Sequence, residues 1–180
     1  MSTRLDLSTI TLMDALDLAA VIELEAFKRY TQFAEQLGSR DTGDAGAVFQ
    51  SMAANEHKHG EQLAERRIAL FGDQPPKVSI DDIFDVEAPD VGAPSWNMSP
   101  RKAYRVALSS EQKAFAFYDQ ALRHVTQPDV KALFEELRDE EAEHVAMLEK
   151  ILAKLPPSAA VELEDEDGYP DHGVRNSEEG

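Results

Sequence analysis

The sequence repeats a pattern of residues from its first half in its second half with the same spacing. The segment Glu23-x-x-Ala26-Phe27-x-x-Tyr30-x-Gln32 returns as Glu111-x-x-Ala114-Phe115-x-x-Tyr118-x-Gln120. Further along each half, the set Phe49, Glu56, His59 and Leu63 matches Phe134, Glu141, His144 and Leu148. Such a repeat predicts two copies of one helical hairpin, related by a pseudo-twofold axis that places corresponding residues opposite each other.

Four stretches carry apolar residues at the three- and four-residue spacing of a buried helical face. They predict helices at 12–37, 45–71, 100–125 and 130–155, with Thr11 and Ser99 as N-caps and Gly38 and Gly72 as stops. The Pro-, Asp- and Gly-rich segment 73–99 is too long to join antiparallel neighbours, so we expect it to cross over along the bundle. The predicted fold class is an all-α four-helix bundle in residues 1–155, and we expect the acidic tail 156–180 to be disordered.

Composition excludes several classes of partner and site. The 180 residues include 18 Lys and Arg against 35 Asp and Glu, a net charge of −17. This charge repels phosphates, so we expect neither nucleic acid nor membrane as a partner. The chain has no cysteine, which excludes disulfides, iron–sulfur clusters and thiolate metal sites. The N-terminus lacks a signal-peptide pattern and no apolar run could span a bilayer, so we expect a cytoplasmic protein.

Polar residues interrupt the apolar faces at corresponding places. The positions are Glu23 and Glu111 in the first and third helices, and the pairs Glu56–His59 and Glu141–His144 in the second and fourth. Residues three apart share a helix face, so each Glu-x-x-His pair can bind a metal together. Burying four carboxylates without compensation is costly, whereas two divalent cations would cancel their charge. Four Glu and two His in this order are typical of di-iron sites in bundle cores.

One Glu-x-x-His pair alone is more often a solvated surface pair, and one inward Glu a boundary residue. The six positions together, on apolar faces and in repeated sequence, favour the metal interpretation. Mixed carboxylate and imidazole ligands suit iron, with manganese or a mixed pair also possible, and are unlike structural zinc.

These motifs resemble the ferritin-like di-iron superfamily over residues 12–155, and most of all its rubrerythrin and erythrin branch. The resemblance implies an antiparallel bundle with the crossover between its second and third helices. It implies that Glu23, Glu56, His59, Glu111, Glu141 and His144 are the ligands, with Glu56 and Glu141 as bridges. The implied activities are reduction of hydrogen peroxide, oxidation of ferrous iron and, in cage-forming relatives, iron storage.

The chain departs from these relatives at several positions. Rubrerythrins have a further carboxylate where this chain has Ala114, and symerythrin-like proteins have one where it has Ala26. The expected site is therefore the symmetric six-ligand kind. A rubredoxin domain is excluded by the absence of cysteine. Bacterioferritins place their haem-ligating Met where this chain has His57, so no haem is expected.

Two further groups of residues admit more than one interpretation. Tyr30 and Tyr118 follow Glu23 and Glu111 by two helical turns, and could pack in the core, orient a ligand or supply one electron. Asp139, Glu140 and Glu143 are expected on the outer face of the fourth helix, as solvated charges or as a guide for iron.

Three functions are compatible with these motifs. The first is a di-iron oxidoreductase of ferroxidase or peroxidase type, with dioxygen or hydrogen peroxide as oxidant, an unidentified electron donor and a homodimeric assembly. The second is an iron storage or carrier protein without catalytic turnover. The third is a protein in which the metal only stabilises the bundle; a di-iron oxygenase acting on an organic substrate is a further alternative.

Overall fold

The computed structural model of the chain describes residues 5–38, 44–79, 82, 86 and 97–161. Within these residues there are four α-helices and no strand: α1 at Leu12–Leu37, α2 at Ala45–Phe71, α3 at Pro100–Ala121 and α4 at Pro128–Lys154. A short 3₁₀ helix follows at Pro157–Ala160. The all-α, four-helix class predicted from the apolar spacing is therefore confirmed, and α1 and α2 have the predicted bounds.

The helix ends form as the local sequence predicts. The Thr11 hydroxyl accepts a hydrogen bond from the Asp14 backbone N–H at 3.2 Å, and the Ser99 hydroxyl accepts one from the Lys102 N–H at 3.4 Å. Both hydroxyls satisfy a backbone donor that has no partner inside the helix. Gly38 and Gly72 end α1 and α2 with φ values of 66° and 64°, a conformation that glycine adopts without steric cost.

Helix α3 ends earlier than predicted, at Ala121 instead of residue 125. The Arg123 N–H donates to the Gln120 carbonyl at 3.1 Å and the His124 N–H to the Ala121 carbonyl at 2.9 Å, so the last turn tightens to i→i+3 bonding. Val125 lies beyond this turn, outside the helix. It is buried because it packs into the core. Helix α4 begins at Pro128, two residues before its predicted start, since proline suits the first helical position.

The helices pack as two hairpins, α1 along α2 and α3 along α4, with further contacts between α2 and α3. Two apolar clusters fill the interior. One includes Leu16, Ile22, Phe117, Leu133 and Phe134, and the other Phe33, Phe49, Met52, Ala107 and Leu148. In every helix, the polar positions that interrupt the apolar face fall between the residues of one cluster and those of the other.

The inward face of α2 differs from the prediction at its C-terminal end. The apolar spacing of α2 predicts Leu70 on its inward face, but this residue is 55% exposed. The buried row instead continues from Leu63 to Arg67, whose Nε donates to Asp17 Oδ1 at 2.9 Å and whose Nη1 donates to the Gly72 carbonyl at 3.0 Å. The last buried residue of α2 is therefore an arginine in an interior ion pair with α1, and Leu70, nearly one turn later, lies at the surface.

The predicted crossover at 73–99 lies largely outside the described residues, and so does the acidic tail from residue 162 onward. In the part of the chain that the structure describes, no helix combines the length and the apolar character needed to cross a membrane.

Candidate metal centre

The structure brings the six predicted ligands together as two groups of three, one in each hairpin. Glu23, Glu56 and His59 form the first group and Glu111, Glu141 and His144 the second; within each, the potential donor atoms lie within 4.8 Å of one another. The four glutamates are at most 2% exposed. The histidine side chains retain 17% and 15% exposure, so each group is closed on its carboxylate side and faces slightly outward on its imidazole side.

Both histidines turn Nδ1 toward the carboxylates. His59 Nδ1 lies 3.9 Å from Glu23 Oε2 and 4.0 Å from Glu56 Oε2. In the second group, His144 Nδ1 is close enough to donate a hydrogen bond to Glu111 Oε2, at 3.1 Å, and lies 3.7 Å from Glu141 Oε2. The second group is therefore the tighter of the two.

The two groups meet at their imidazoles. The rings of His59 and His144 stack with centroids 5.0 Å apart and an angle of 5° between their planes. The charges of Glu111 and Glu141 also contribute to raising the pKa of Glu23 in the other hairpin. The six side chains therefore belong to one electrostatic site that spans both halves of the bundle.

Burial disfavours the charged form of the Glu23 and Glu141 carboxylates. It raises the pKa of Glu23 well above its ordinary value, and the neighbouring Glu56 carboxylate raises it further. Burial likewise raises the pKa of Glu141; the charge of Glu111 adds to this effect, whereas the contact with His144 opposes it. Without cations, the site therefore holds protons on these two carboxyl groups more tightly than water-exposed glutamates would.

The pKa values of the two imidazoles shift in opposite directions, although the two histidines occupy equivalent positions in the repeat. Burial lowers the pKa of His59, and the charge of His144 lowers it further. Burial also lowers the pKa of His144, but the contacts with Glu111 and Glu141 outweigh it and raise the pKa to about 10. In the metal-free site, one ring is neutral at neutral pH and the other is an imidazolium beside carboxylates.

The donor atoms fit a pair of cations. Glu23 Oε2, Glu111 Oε1 and Glu141 Oε2 are buried and accept no hydrogen bond from the described residues. No ion pair from a described lysine or arginine reaches these three side chains. Buried carboxylate oxygens without donors are unfavourable, and a cation satisfies each of them. Carboxylate and imidazole together suit iron or manganese.

Tyr30 and Tyr118 are fully buried, each in one of the apolar clusters. Tyr30 stacks against Phe49 with ring centroids 5.9 Å apart, and Tyr118 packs against Phe134 at 5.5 Å. Each tyrosine follows its helix glutamate by two turns, about 10 Å along the axis. Both rings are therefore part of the core on either side of the candidate centre.

Sequence reasoning missed a cavity of about 280 Å³ between α2 and α4 that His59 and Glu140 both line. The sequence predicts Glu140 on the outer face of α4, as part of a solvated charge run, and the structure leaves it exposed although it also lines this cavity. Partial burial raises its pKa, and the charge of Glu136 raises it further. The sequence does carry one signal of this lining: Glu140 follows Glu136 by four residues, which puts both carboxylates on one side of α4.

A four-helix bundle with two buried Glu/His groups defines a carboxylate-rich bundle protein. Comparison with protein families is consistent with this class: residues 13–157 match the ferritin-like domain. The chain belongs to this family. A comparison with curated proteins found no match.

Solved structures of the same fold include one relative of similar sequence. An uncharacterized conserved protein from Magnetospirillum magnetotacticum is 32% identical, with 82% of this chain and 97% of that chain covered and a TM-score of 0.64. Rhodobacter capsulatus bacterioferritin is 20% identical, with 86% and 94% covered and a TM-score of 0.56. Mycobacterium tuberculosis bacterioferritin is 18% identical, with 85% and 87% covered and a TM-score of 0.53. At these lower identities the two bacterioferritins share the fold alone.

Proposed function

We propose that this chain binds two iron ions between its hairpins and acts as a di-iron oxidoreductase that oxidises Fe(II) or reduces hydrogen peroxide. The observation that carries the proposal is the set of buried carboxylate oxygens without donors, facing two imidazoles inside a ferritin-like bundle. Two divalent cations would cancel the four carboxylate charges and remove the need for the protons that the site otherwise holds.

Each ligand has a proposed role. Glu23 with His59, and Glu111 with His144, would each bind one ion, while Glu56 and Glu141 would bridge the pair, as the resemblance to the di-iron superfamily implies. Metal binding would compete with protons for Glu23, Glu141 and His144, whose pKa values are all raised in the metal-free site. Manganese or a mixed pair would fit the same donors.

The surrounding residues would control how the site reacts. Two bound ferrous ions would supply the two electrons that convert one hydrogen peroxide and two protons into two waters. The apolar clusters on both sides exclude bulk water from the carboxylates. Tyr30 and Tyr118 would orient the helix glutamates or donate an electron. Further turnover would require an external electron donor. The proposal includes a rubrerythrin-like role, a homodimeric assembly and a cytoplasmic location.

The deciding experiment is an anaerobic titration of the metal-free protein with Fe(II), followed by rapid mixing with dioxygen or with hydrogen peroxide. We expect saturation at two irons per chain, and faster oxidation by peroxide would indicate a rubrerythrin-like role. Continued uptake far beyond two, in a large closed assembly, would instead support storage. Binding of two irons with no reaction toward either oxidant would support a structural role for the metal.

A further inference from the structure

The cavity between α2 and α4 is lined by a proposed metal ligand and by charged side chains. Its wall includes His59, so it adjoins the candidate metal centre at the imidazole of the first group. Three leucines form part of the wall, and the polar lining residues are Gln62, Arg66, Glu136 and Glu140. A cavity with a proposed ligand at its wall and charged residues along it is suited to carry a polar solute toward the site.

An ion pair lies across this cavity. Arg66 Nη1 donates to Glu136 Oε2 at 2.8 Å and so connects α2 to α4. The two side chains are 39% and 52% exposed, which places the pair at the solvent side of the cavity. Ion pairs with this much exposure contribute little to stability, so the pair can open at small cost. Glu140 lines the same cavity with a second carboxylate, and both Glu136 and Arg66 act on it electrostatically.

The lining favours cations. Arg66 is matched by Glu136, which leaves the carboxylate of Glu140 in excess, and the whole chain is strongly acidic. A cavity whose lining has a net charge of one sign raises the local concentration of ions of the opposite sign and accelerates their arrival. These charges would not raise the local concentration of a neutral oxidant or its rate of arrival.

The internal repeat supplies a comparison within the same chain. It pairs each polar position of the cavity with an uncharged residue of the other half: Arg66 with Ile151, Gln62 with Met147, Glu136 with Ser51 and Glu140 with Asn55. The positions that correspond to the leucines are Val48, Met52 and Leu148, all buried. The six proposed ligands are repeated, but the charged surroundings of His59 are not repeated around His144.

From the cavity, its lining and this asymmetry, we propose that divalent cations reach the centre on the His59 side, between α2 and α4, guided by Glu136 and Glu140 and admitted when the Arg66–Glu136 ion pair opens. This inference rests on the proposed function, since it requires that the six donors bind a metal pair. It adds the route by which the ions enter. Both ions pass the first group of ligands, and the ion bound by the second group reaches it through the interior of the bundle.

Uptake of Co(II) by the metal-free protein tests the path without any redox reaction. The double variant Glu136→Gln/Glu140→Gln should still bind two Co(II) per chain, but in stopped-flow absorbance at low salt it should load roughly tenfold more slowly than the wild type. The difference should shrink as added salt screens the charges. Arg66→Gln should load faster, because it removes the positive charge and opens the ion pair. If the double variant fails to fold, Arg66→Gln decides the matter alone, and its urea unfolding curve, expected to match that of the wild type, shows that faster uptake does not come from a loosened bundle.

Glu65→Gln/Glu149→Gln is the matched control. It removes two negative charges, as Glu136→Gln/Glu140→Gln does, at exposed positions of α2 and α4 outside the cavity lining, and we expect uptake at the wild-type rate. Equal rates in the double variant and in this control would overturn the path while leaving the metal centre intact. Slower uptake by Arg66→Gln, or an unchanged rate, would also overturn it. A wild-type protein that binds no pair of Co(II) or Fe(II) would overturn both the path and the proposed function.

Discussion

The imidazole rings of His59 and His144 lie parallel, 5.0 Å apart, where the two hairpins of the bundle meet. The repeat makes these residues equivalents in sequence, yet their surroundings differ. His144 Nδ1 is 3.1 Å from Glu111, whereas His59 Nδ1 is 3.9 Å from the corresponding Glu23. Contact with the carboxylates raises the pKa of one ring, and burial together with the charge of that ring lowers the pKa of the other. The site is therefore symmetric in its ligands and asymmetric in its electrostatics.

Removing a proposed bridging ligand should abolish binding of the metal pair. For Glu56→Ala or Glu141→Ala, we expect anaerobic Fe(II) titration to saturate below two irons per chain, because each bridge would serve both ions. Glu65→Ala, an exposed position on the same helix as Glu56, should retain two. Two tightly bound irons in either bridge variant would contradict the assignment.

The stability of the metal-free protein should fall as pH rises from about 5 to 8. The folded state holds protons on Glu23 and Glu141 more tightly than the unfolded chain does, so this stabilisation is complete below the ordinary value of 4.5 and is lost as pH rises through the raised pKa values. His144 acts in the same direction, with its contribution lost between 6.5 and about 10. His59, with its lowered pKa, acts in the opposite direction, but it is a single group against these three.

Thermal unfolding at a series of pH values measures this dependence, and the metal-loaded protein is its control. Metal binding requires deprotonated ligands, so the stability of the loaded protein should rise over the same pH range. A metal-free protein that became more stable from pH 5 to 8 would contradict the raised pKa values of the buried carboxyls.

Glu111→Gln should lower the pKa of His144 in the metal-free protein. Burial already lowers this pKa, and Glu111 is the first of the contacts that raise it to about 10. An NMR titration of the imidazole resonances should show His144 ionising closer to 6.5. The exposed Glu149→Gln change should leave the resonance where it is in the wild type. No movement in Glu111→Gln would mean that another group protonates the ring.

Breaking the interior ion pair between Asp17 and Arg67 should destabilise the bundle without touching the site. Asp17→Ala leaves a buried guanidinium without its carboxylate, and we expect a loss of about 3–5 kcal/mol in urea unfolding. The exposed pair of Arg123 and Asp119 offers the comparison: Asp119→Ala should cost less than about 1 kcal/mol. Equal losses in the two variants would contradict the buried character of the first pair.

Tyr30→Phe and Tyr118→Phe separate the packing role from a redox role. Both changes keep the aromatic contacts with Phe49 and Phe134, so the stoichiometry should remain two irons per chain. If a hydroxyl orients a ligand or supplies an electron, single-turnover oxidation of bound Fe(II) should slow several-fold. Wild-type rates in both variants would assign the rings to the core alone.

Local sequence determined most of the fold and the composition of the candidate site. Helix periodicity is a property of residues three and four apart, and caps such as Thr11 and Ser99 act on their own first turn, so α1 and α2 could be bounded from sequence. The six donors could also be picked out, because a charged residue on an apolar helix face stands out wherever the bundle places it. The repeat then showed which donors correspond.

Tertiary structure decided what depends on how separate helices meet. Arg67 is buried because Asp17 of another helix lies within reach of its guanidinium group. Arg66 and Glu136 are 70 positions apart in the chain, and only the distance between α2 and α4 makes them an ion pair beside a cavity. The His59–His144 stack and the opposite pKa shifts of its rings likewise arise from contacts across the bundle, and helical periodicity carries no information about these.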